Sequence, residues 1–236
     1  MADGAYTTGF AAQPLACSGI AVLQMEDRSD KEQRGPLAEG DDAIRGILSA
    51  IDSLRSTGFI DDSKVGIIGF SRTHWYVERA LETAPARFKA AVLIDGVDQS
   101  YVTDILFAPD WPMYARDHET TIGSRPFGEE LSKWLKEASG FNADKISAPV
   151  RLEAITAPSI LGEWETYSIL RQLHKPVDLV EIPDGQHILQ KPQNRYASQQ
   201  GAVDWFRYWM QGEENKRSIN PTEYRRWRTL SPSSTR

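Results

Sequence analysis

Cysteine is almost absent. Cys17 is the only one among 236 residues, so no internal disulfide can form and nothing points to an oxidising compartment. Histidine is scarce too: four residues with no Cys/His cluster, which argues against a structural zinc site. There is no excess of basic charge. Lys and Arg total 27 against 33 Asp and Glu, a formal net charge of −6, and a nucleic-acid partner would want a basic face. No apolar run approaches the roughly 20 residues needed to cross a bilayer, so no membrane partner is expected. Met1 to Ala12 lacks a basic segment followed by an apolar one, so no secretory signal is read there and a cytoplasmic location is the default expectation. No solenoid or propeller period repeats. No motif calls for a metal, nucleotide or other cofactor, and none is expected.

What is present is ordinary globular composition, 40% hydrophobic and 25% charged, enough for one sizeable core. Strand-like and helix-like segments alternate, which predicts an α/β fold with a mostly parallel sheet. Ile20–Met25 reads as a first strand, followed by a charged loop over 26–40. Asp41 and Asp42 favour a helix start, and Ile44, Ile47, Leu48, Ile51 and Leu54 recur at helical spacing as far as Gly58. Val65–Gly69 and Phe88–Ile94 read as buried strands around a helix over 74–83. Prolines and aromatics crowd residues 97–146, which reads as an excursion over the sheet or a lid, with one helix near 128–138. Strand 149–155, helix 161–173, strand 177–182 and a long helix over 194–211 follow, closed by Gly212. Residues 1–212 therefore read as one, partial, α/β domain with 97–146 as its excursion, and 213–236 as a polar, frayed tail.

Gly69-Phe70-Ser71-Arg72-Thr73 lies between a buried strand and a helix. In that context G-x-S-x-G marks a nucleophile elbow, which lifts a serine oxygen above the sheet beside a helix N-terminus. Thr73 stands where the last glycine would be, tolerable at some cost in packing. Ser71 is the candidate nucleophile, and the Arg72 backbone N–H a candidate half of an oxyanion hole. The alternative for Ser71 is a serine that merely caps the helix. A serine nucleophile needs a base. His187 has the best context, following the strand at 177–182 through Pro183-Asp184-Gly185-Gln186 and preceding the last long helix. His74 reads as packing or surface, and His118 and His174 as exposed. The acid is sought after the strand at 149–155. No aspartate occurs between Lys145 and Pro176, so Glu163 and Glu165 are the candidates, with Glu153 inside the strand as a third.

Several stretches resemble the prolyl oligopeptidase family of serine peptidases, and within it the lasso peptide isopeptidases. They are RSTGFIDDSKVGIIGFSRT (55–73), KAAVLIDGVD (89–98), EWETYSILRQLHKPVDLVEIPDGQHILQKPQNR (163–195), SQQGAVDWFRYWMQG (198–212) and YRRWRTL (224–230). The resemblance implies an α/β-hydrolase fold and a serine hydrolase acting on peptide amide bonds, with a peptide as its substrate. Ser71 and His187 fall on its motif positions. A Trp-Glu-x-Tyr pattern opening the helix places Glu165 on a patterned position and favours it as the acid. The family's acid is often an aspartate earlier in that loop, where this chain reads Thr156-Ala157-Pro158-Ser159 without a carboxylate.

The resemblance also implies a β-propeller and three further strands ahead of the one at 20–25. The third of these would sit between 20–25 and 65–69, so those two segments would lack their shared neighbour. A truncated form is therefore expected, with residues 5–12 supplying at most a short substitute. Two other readings stay open. The same serine and histidine cleave esters or thioesters, and a hydrolase remnant could serve as a binding module. Tyr101, Phe107, Trp111 and Tyr114 in the excursion read as core beneath a long loop or as a substrate surface. Arg225-Arg226-Trp227-Arg228 reads as a solvated helical turn packed by Trp227.

Overall fold

The strand Ala90–Ile94 (β2) is wholly buried, which requires cover on both faces and a pairing strand on each side. A computed structural model, which describes residues 10–25, 36–96, 100–107, 109–218 and 220–230, provides both. Gly66–Phe70 (β1), β2, Val150–Ala154 (β3) and Val177–Glu181 (β4) form a parallel sheet in that order. Helices connect the strands. Pro36–Ser56 (α2) precedes β1, Arg72–Thr83 (α3) joins β1 to β2, and Ala157–Gln172 (α7) joins β3 to β4. Pro192–Phe206 (α8) follows β4 and continues as a π-helical turn to Gln211, ended by Gly212 at φ 73°.

Alternation along β2 splits the core in two. Ala91 and Leu93 face Val77, Leu81, Leu152 and Leu170 on the α3/α7 side. Ala90, Val92 and Ile94 face Ala202, Val203, Trp205 and Phe206 of α8 on the other. At roughly 25 cal/mol per Å² of buried apolar surface, these two layers dominate the favourable side of folding.

The segment read as a first strand, 20–25, is not one. It makes no ladder, and Val22, Leu23 and Met25 are 37%, 53% and 47% exposed. Met25 instead lies over α2, where its Cε would stand 3.4 Å from a Cβ at Gly46. An extended segment becomes a strand only where an edge offers hydrogen bonds, and among the described residues no strand stands between it and β1. Among the described residues β1 is an edge of the sheet, and Ala12–Cys17 (α1) is a helix packed by Leu15 into the α8 layer. Residues 5–9, most of the charged loop (26–35), positions 97–99 and the last six residues lie outside the described ones.

The excursion is more helical than its prolines suggest. It holds Tyr101–Phe107 (α4), Pro112–Ile122 (α5) and Leu131–Glu137 (α6). Pro112 occupies a first-turn position, where its missing N–H costs nothing, and Gly123 ends α5 at φ 79°. His118, expected at the surface, is fully buried with Nδ1 3.1 Å from Asp104 and its ring against Trp134. The polar tail likewise contains an ordered helix, Pro221–Leu230 (α9). Trp227 is 0% exposed, packs edge-on to Trp205, and its indole N–H donates to Asp178 Oδ2 at 2.7 Å.

Candidate active site

The elbow closes on itself at Thr73. Its Oγ1 accepts from the Phe70 N–H at 2.9 Å and donates to the Phe70 carbonyl at 2.8 Å. The residue read as a tolerated replacement for glycine therefore ties the turn shut. Glycine is required at Gly69 instead, where a Cβ would stand 2.5 Å from the Thr73 carbonyl and 2.8 Å from Val77 Cγ2. Ser71 takes φ 55°, a conformation a non-glycine residue adopts only when its surroundings hold it there. Its N–H donates to the Ile94 carbonyl at 3.1 Å, which anchors the turn to β2.

Arg72 is the first residue of α3, so its backbone N–H belongs to the helix turn whose donors lack intrahelical acceptors. Its guanidinium turns away from Ser71. Nε and Nη2 meet Glu39 at 3.0 and 3.1 Å, Nη1 meets Asp117 at 2.7 Å, and the group lies 4.8 Å over the Trp75 ring. Burial disfavours its charge, but Glu39 and Asp117 more than compensate and raise its pKa. The result is a clamp joining the elbow to α2 and α5.

His187 enters from the loop after β4. Asp184 at φ 53° and Gly185, where a Cβ would stand 2.5 Å from Ile155 Cγ2, bring the chain back over the sheet. The imidazole stacks on Phe70 with ring centres 4.8 Å apart. Its Nε2 lies 2.9 Å from Ser71 Oγ and its Nδ1 2.6 Å from Asp95 Oδ2.

The carboxylate on His187 is thus Asp95, not Glu165. Asp95 follows β2 directly, at φ 41°, with its N–H donating to the Glu153 carbonyl at 2.9 Å. It is 2% exposed. Burial works against its charge, yet hydrogen bonds from His187 and from the Thr156 backbone and hydroxyl outweigh it and hold the carboxyl below its usual range.

Glu165 is engaged elsewhere: its Oε2 accepts from Ser100 Oγ and, at 3.0 Å, from the Val102 N–H, joining α7 to the start of α4. Burial raises its pKa against those two donors. Glu163 is buried, 3.9 Å from His74 Nδ1, and Glu153 is buried inside β3 near Arg151. A helix that begins at residue 157 turns both α7 glutamates away from the His187 loop. Sequence reasoning looked for the acid one strand too late. The available signal was an aspartate at the C-terminal end of a wholly apolar strand, where parallel sheets carry their ligands and chemistry.

His74 packs behind this centre. A Cβ at Gly96 would fall 2.0 Å from its ring, so glycine is needed there for the histidine to back the Asp95 turn. Burial pushes the His74 pKa down to about 4, opposed by the charge of Asp95. Among the described residues no group of histidines, cysteines and carboxylates is arranged to hold a metal, and no helix is long and apolar enough to cross a membrane.

A parallel sheet with helices on both faces, a serine on a strand-to-helix turn and a histidine between that serine and a carboxylate together define the α/β-hydrolase class. No protein-family model matches the chain. It is 27% identical over 245 aligned residues to lasso peptide isopeptidase AtxE2 of Asticcacaulis excentricus, covering 94% of this chain and 34% of that protein. It is 22% identical to acylamino-acid-releasing enzyme 1 of Oryza sativa subsp. japonica, over 71% of this chain and 23% of the relative. In structure it matches an AtxE2 isopeptidase variant with Astexin3-dC4 bound at a TM-score of 0.75 and 24% identity, covering 92% of this chain and 35% of the other. It matches Pyrococcus horikoshii acylaminoacyl peptidase at 0.60 and 21%, covering 79% and 30%. The likeness to a lasso peptide isopeptidase and to an acylamino-acid-releasing enzyme supports the resemblance to the prolyl oligopeptidase family. The chain spans about a third of the length of that isopeptidase.

Proposed function

We propose that this chain carries the catalytic centre of a serine hydrolase that cleaves peptide or isopeptide amide bonds through an acyl-enzyme. The observation that carries the reading is His187 bridging Ser71 Oγ and the buried carboxylate of Asp95. Asp95 accepts a hydrogen bond from Nδ1–H, which keeps the ring proton there and leaves Nε2 as the basic nitrogen facing Ser71. Ser71 Oγ attacks the amide carbonyl carbon while Nε2 takes its proton. Negative charge collects on the former carbonyl oxygen, which the Arg72 N–H at the start of α3 stabilises. The C–N bond breaks as His187 returns the proton to the leaving amine. A water then attacks the ester with His187 again as base, releasing the acid and restoring Ser71.

The preference for amides over esters, and for peptide or isopeptide substrates, rests on the relatives: a lasso peptide isopeptidase, acylamino-acid-releasing enzymes and a dipeptidyl peptidase family member. Labelling with a fluorophosphonate tests the chemistry without knowing the substrate. The Ser71 oxygen displaces fluoride from phosphorus, and His187 takes the proton. Labelling of the parent chain, abolished in Ser71→Ala and reduced about 10³-fold or more in His187→Ala, is expected. A folded chain that takes no label would overturn the proposal. Hydrolysis of threaded or branched peptides faster than of matched esters would support the amide preference, and the reverse would make the centre an esterase.

A further inference from the structure

The loop that opens α7, Thr156-Ala157-Pro158-Ser159, contains no carboxylate, yet it surrounds one. Ile94 of β2 pairs with Glu153 of β3, so the residue after each strand end lies beside its neighbour's loop. Asp95 therefore points its side chain into the start of α7. Its Oδ1 receives the Thr156 N–H at 2.9 Å, the Thr156 hydroxyl at 3.0 Å and the Ile155 N–H at 3.3 Å. Its Oδ2 is left to His187 at 2.6 Å.

The direction of the Thr156 proton follows from the capping box. Thr156 Oγ1 accepts from the Ser159 backbone N–H. Ser159 Oγ accepts from the Thr156 N–H at 3.1 Å and donates to the Thr156 carbonyl at 2.9 Å. With its accepting side occupied by Ser159, the Thr156 hydroxyl has its own proton to give, and the charged Asp95 Oδ1 at 3.0 Å is a nearer and stronger acceptor than Ser159 Oγ at 3.4 Å. Side chain and backbone of one residue thus grip one oxygen of the carboxylate, fixing its plane and the direction of the other oxygen.

We infer that Thr156 is the positioning residue of the catalytic centre: it orients Asp95, which in turn sets the tautomer and aim of His187. The inference rests on the proposed serine chemistry only for its kinetic readout. Thr156 touches no reacting atom and acts through Asp95 alone. Its hydroxyl is a neutral donor to a charged acceptor, the stronger kind of hydrogen bond, and its loss leaves Asp95 Oδ1 with two backbone donors while Oδ2 keeps His187.

The test compares Thr156→Val, which keeps shape and removes the hydroxyl, with Thr156→Ser, which restores it. Fluorophosphonate labelling is measured per folded molecule across pH, with folding followed by circular dichroism. The expected result is an approximately tenfold slower rate in Thr156→Val, with its acid limb moved to higher pH because Asp95 with one donor fewer takes up a proton more readily. Thr156→Ser should label near the parent rate. A residue that only capped α7 would lower the urea midpoint and leave the rate of the folded chain and its pH profile unchanged. That outcome, or a Thr156→Ser as slow as Thr156→Val, would overturn the inference.

The proton on His187 Nδ1 gives a second readout. Its downfield resonance is expected in the parent and in Thr156→Ser, and broadened by faster exchange in Thr156→Val. If the parent chain takes no label, the proposed function fails, while this resonance still decides the role of Thr156: retained sharpness in Thr156→Val refutes it.

Discussion

Single residues decide which carboxylate meets His187. Asp95 and Glu165 are both largely buried and both accept hydrogen bonds, but only Asp95 reaches His187. Asp95→Asn keeps the shape and removes the charge that fixes the histidine tautomer. It should slow labelling or hydrolysis about 10³–10⁴-fold. Glu165→Gln retains an acceptor oxygen for Ser100 and Val102 and should stay within about threefold of the parent. Equal losses in both variants would return Glu165 to the centre.

Behind the site, buried titratable groups pull in opposite directions with pH. Burial raises Glu78 to about 7, against a hydrogen bond from Thr166 at 2.8 Å. The unfolded chain releases this proton near its ordinary value of 4.5, so stability is full below that pH and is lost as pH rises toward 7. His74 has the opposite sign. Its folded value of about 4 lies below the ordinary 6.5, so its contribution is full above 6.5 and is lost as pH falls toward 4. Glu78→Gln removes the first of these. Relative to the parent, the variant should gain stability between pH 5 and pH 8, by an amount on the order of 2–3 kcal/mol. Urea midpoints at the two pH values measure it. A difference that does not change with pH would show that Glu78 ionises freely.

At the level of elements, the contact between β1 and α3 is what presents Ser71. Gly69 lets the first turn of α3 lie directly against the strand. In Gly69→Ala the new methyl meets backbone at Thr73, which cannot swing aside. The expected cost is about 1–3 kcal/mol of stability together with a loss of labelling rate, since the helix start carrying the Arg72 N–H is displaced. Urea unfolding and labelling kinetics read the two effects separately. Thr73 shows how a motif can depart from pattern and still close the turn: its hydroxyl makes two hydrogen bonds to Phe70.

The elements themselves were largely legible. The strands at 65–69, 88–94, 149–155 and 177–182 and the helices between them follow the predicted order, because each buries an apolar run of the right period. The segment at 20–25 has an equally apolar run but no partner edge, and strand formation is a property of the pair rather than of the segment.

Across the whole molecule, α9 closes the second face. Arg151, fully buried in β3, meets Glu223 of α9 at 3.1 Å, and Arg226 binds both oxygens of Asp178 at 3.0 Å. Gly201 of α8 makes room for the Arg151 guanidinium, which would stand 2.2 Å from a Cβ there. This ionic layer specifies where α9 docks, while the tryptophans supply the burial. Trp227→Ala should cost about 3–5 kcal/mol, seen as a lower urea midpoint. An unchanged midpoint would mean that α9 contributes nothing to the fold.

Local pattern was sufficient to place the α/β order, a serine on the turn between β1 and α3 and a histidine in the loop after β4, because each of those signals lies within one strand, turn and helix. The acid required the tertiary structure. Asp95 and Thr156 are 61 positions apart, and only the parallel register of β2 against β3 brings them to one place. The same holds for the clamp on Arg72 and for α9: the sequence marked Trp227 as packed, but only the fold supplies its cover on α8 and its hydrogen bond on β4. Periodicity records which face of an element is apolar. Which carboxylate meets which histidine depends on strand neighbours and register, which arise only when the sheet is assembled.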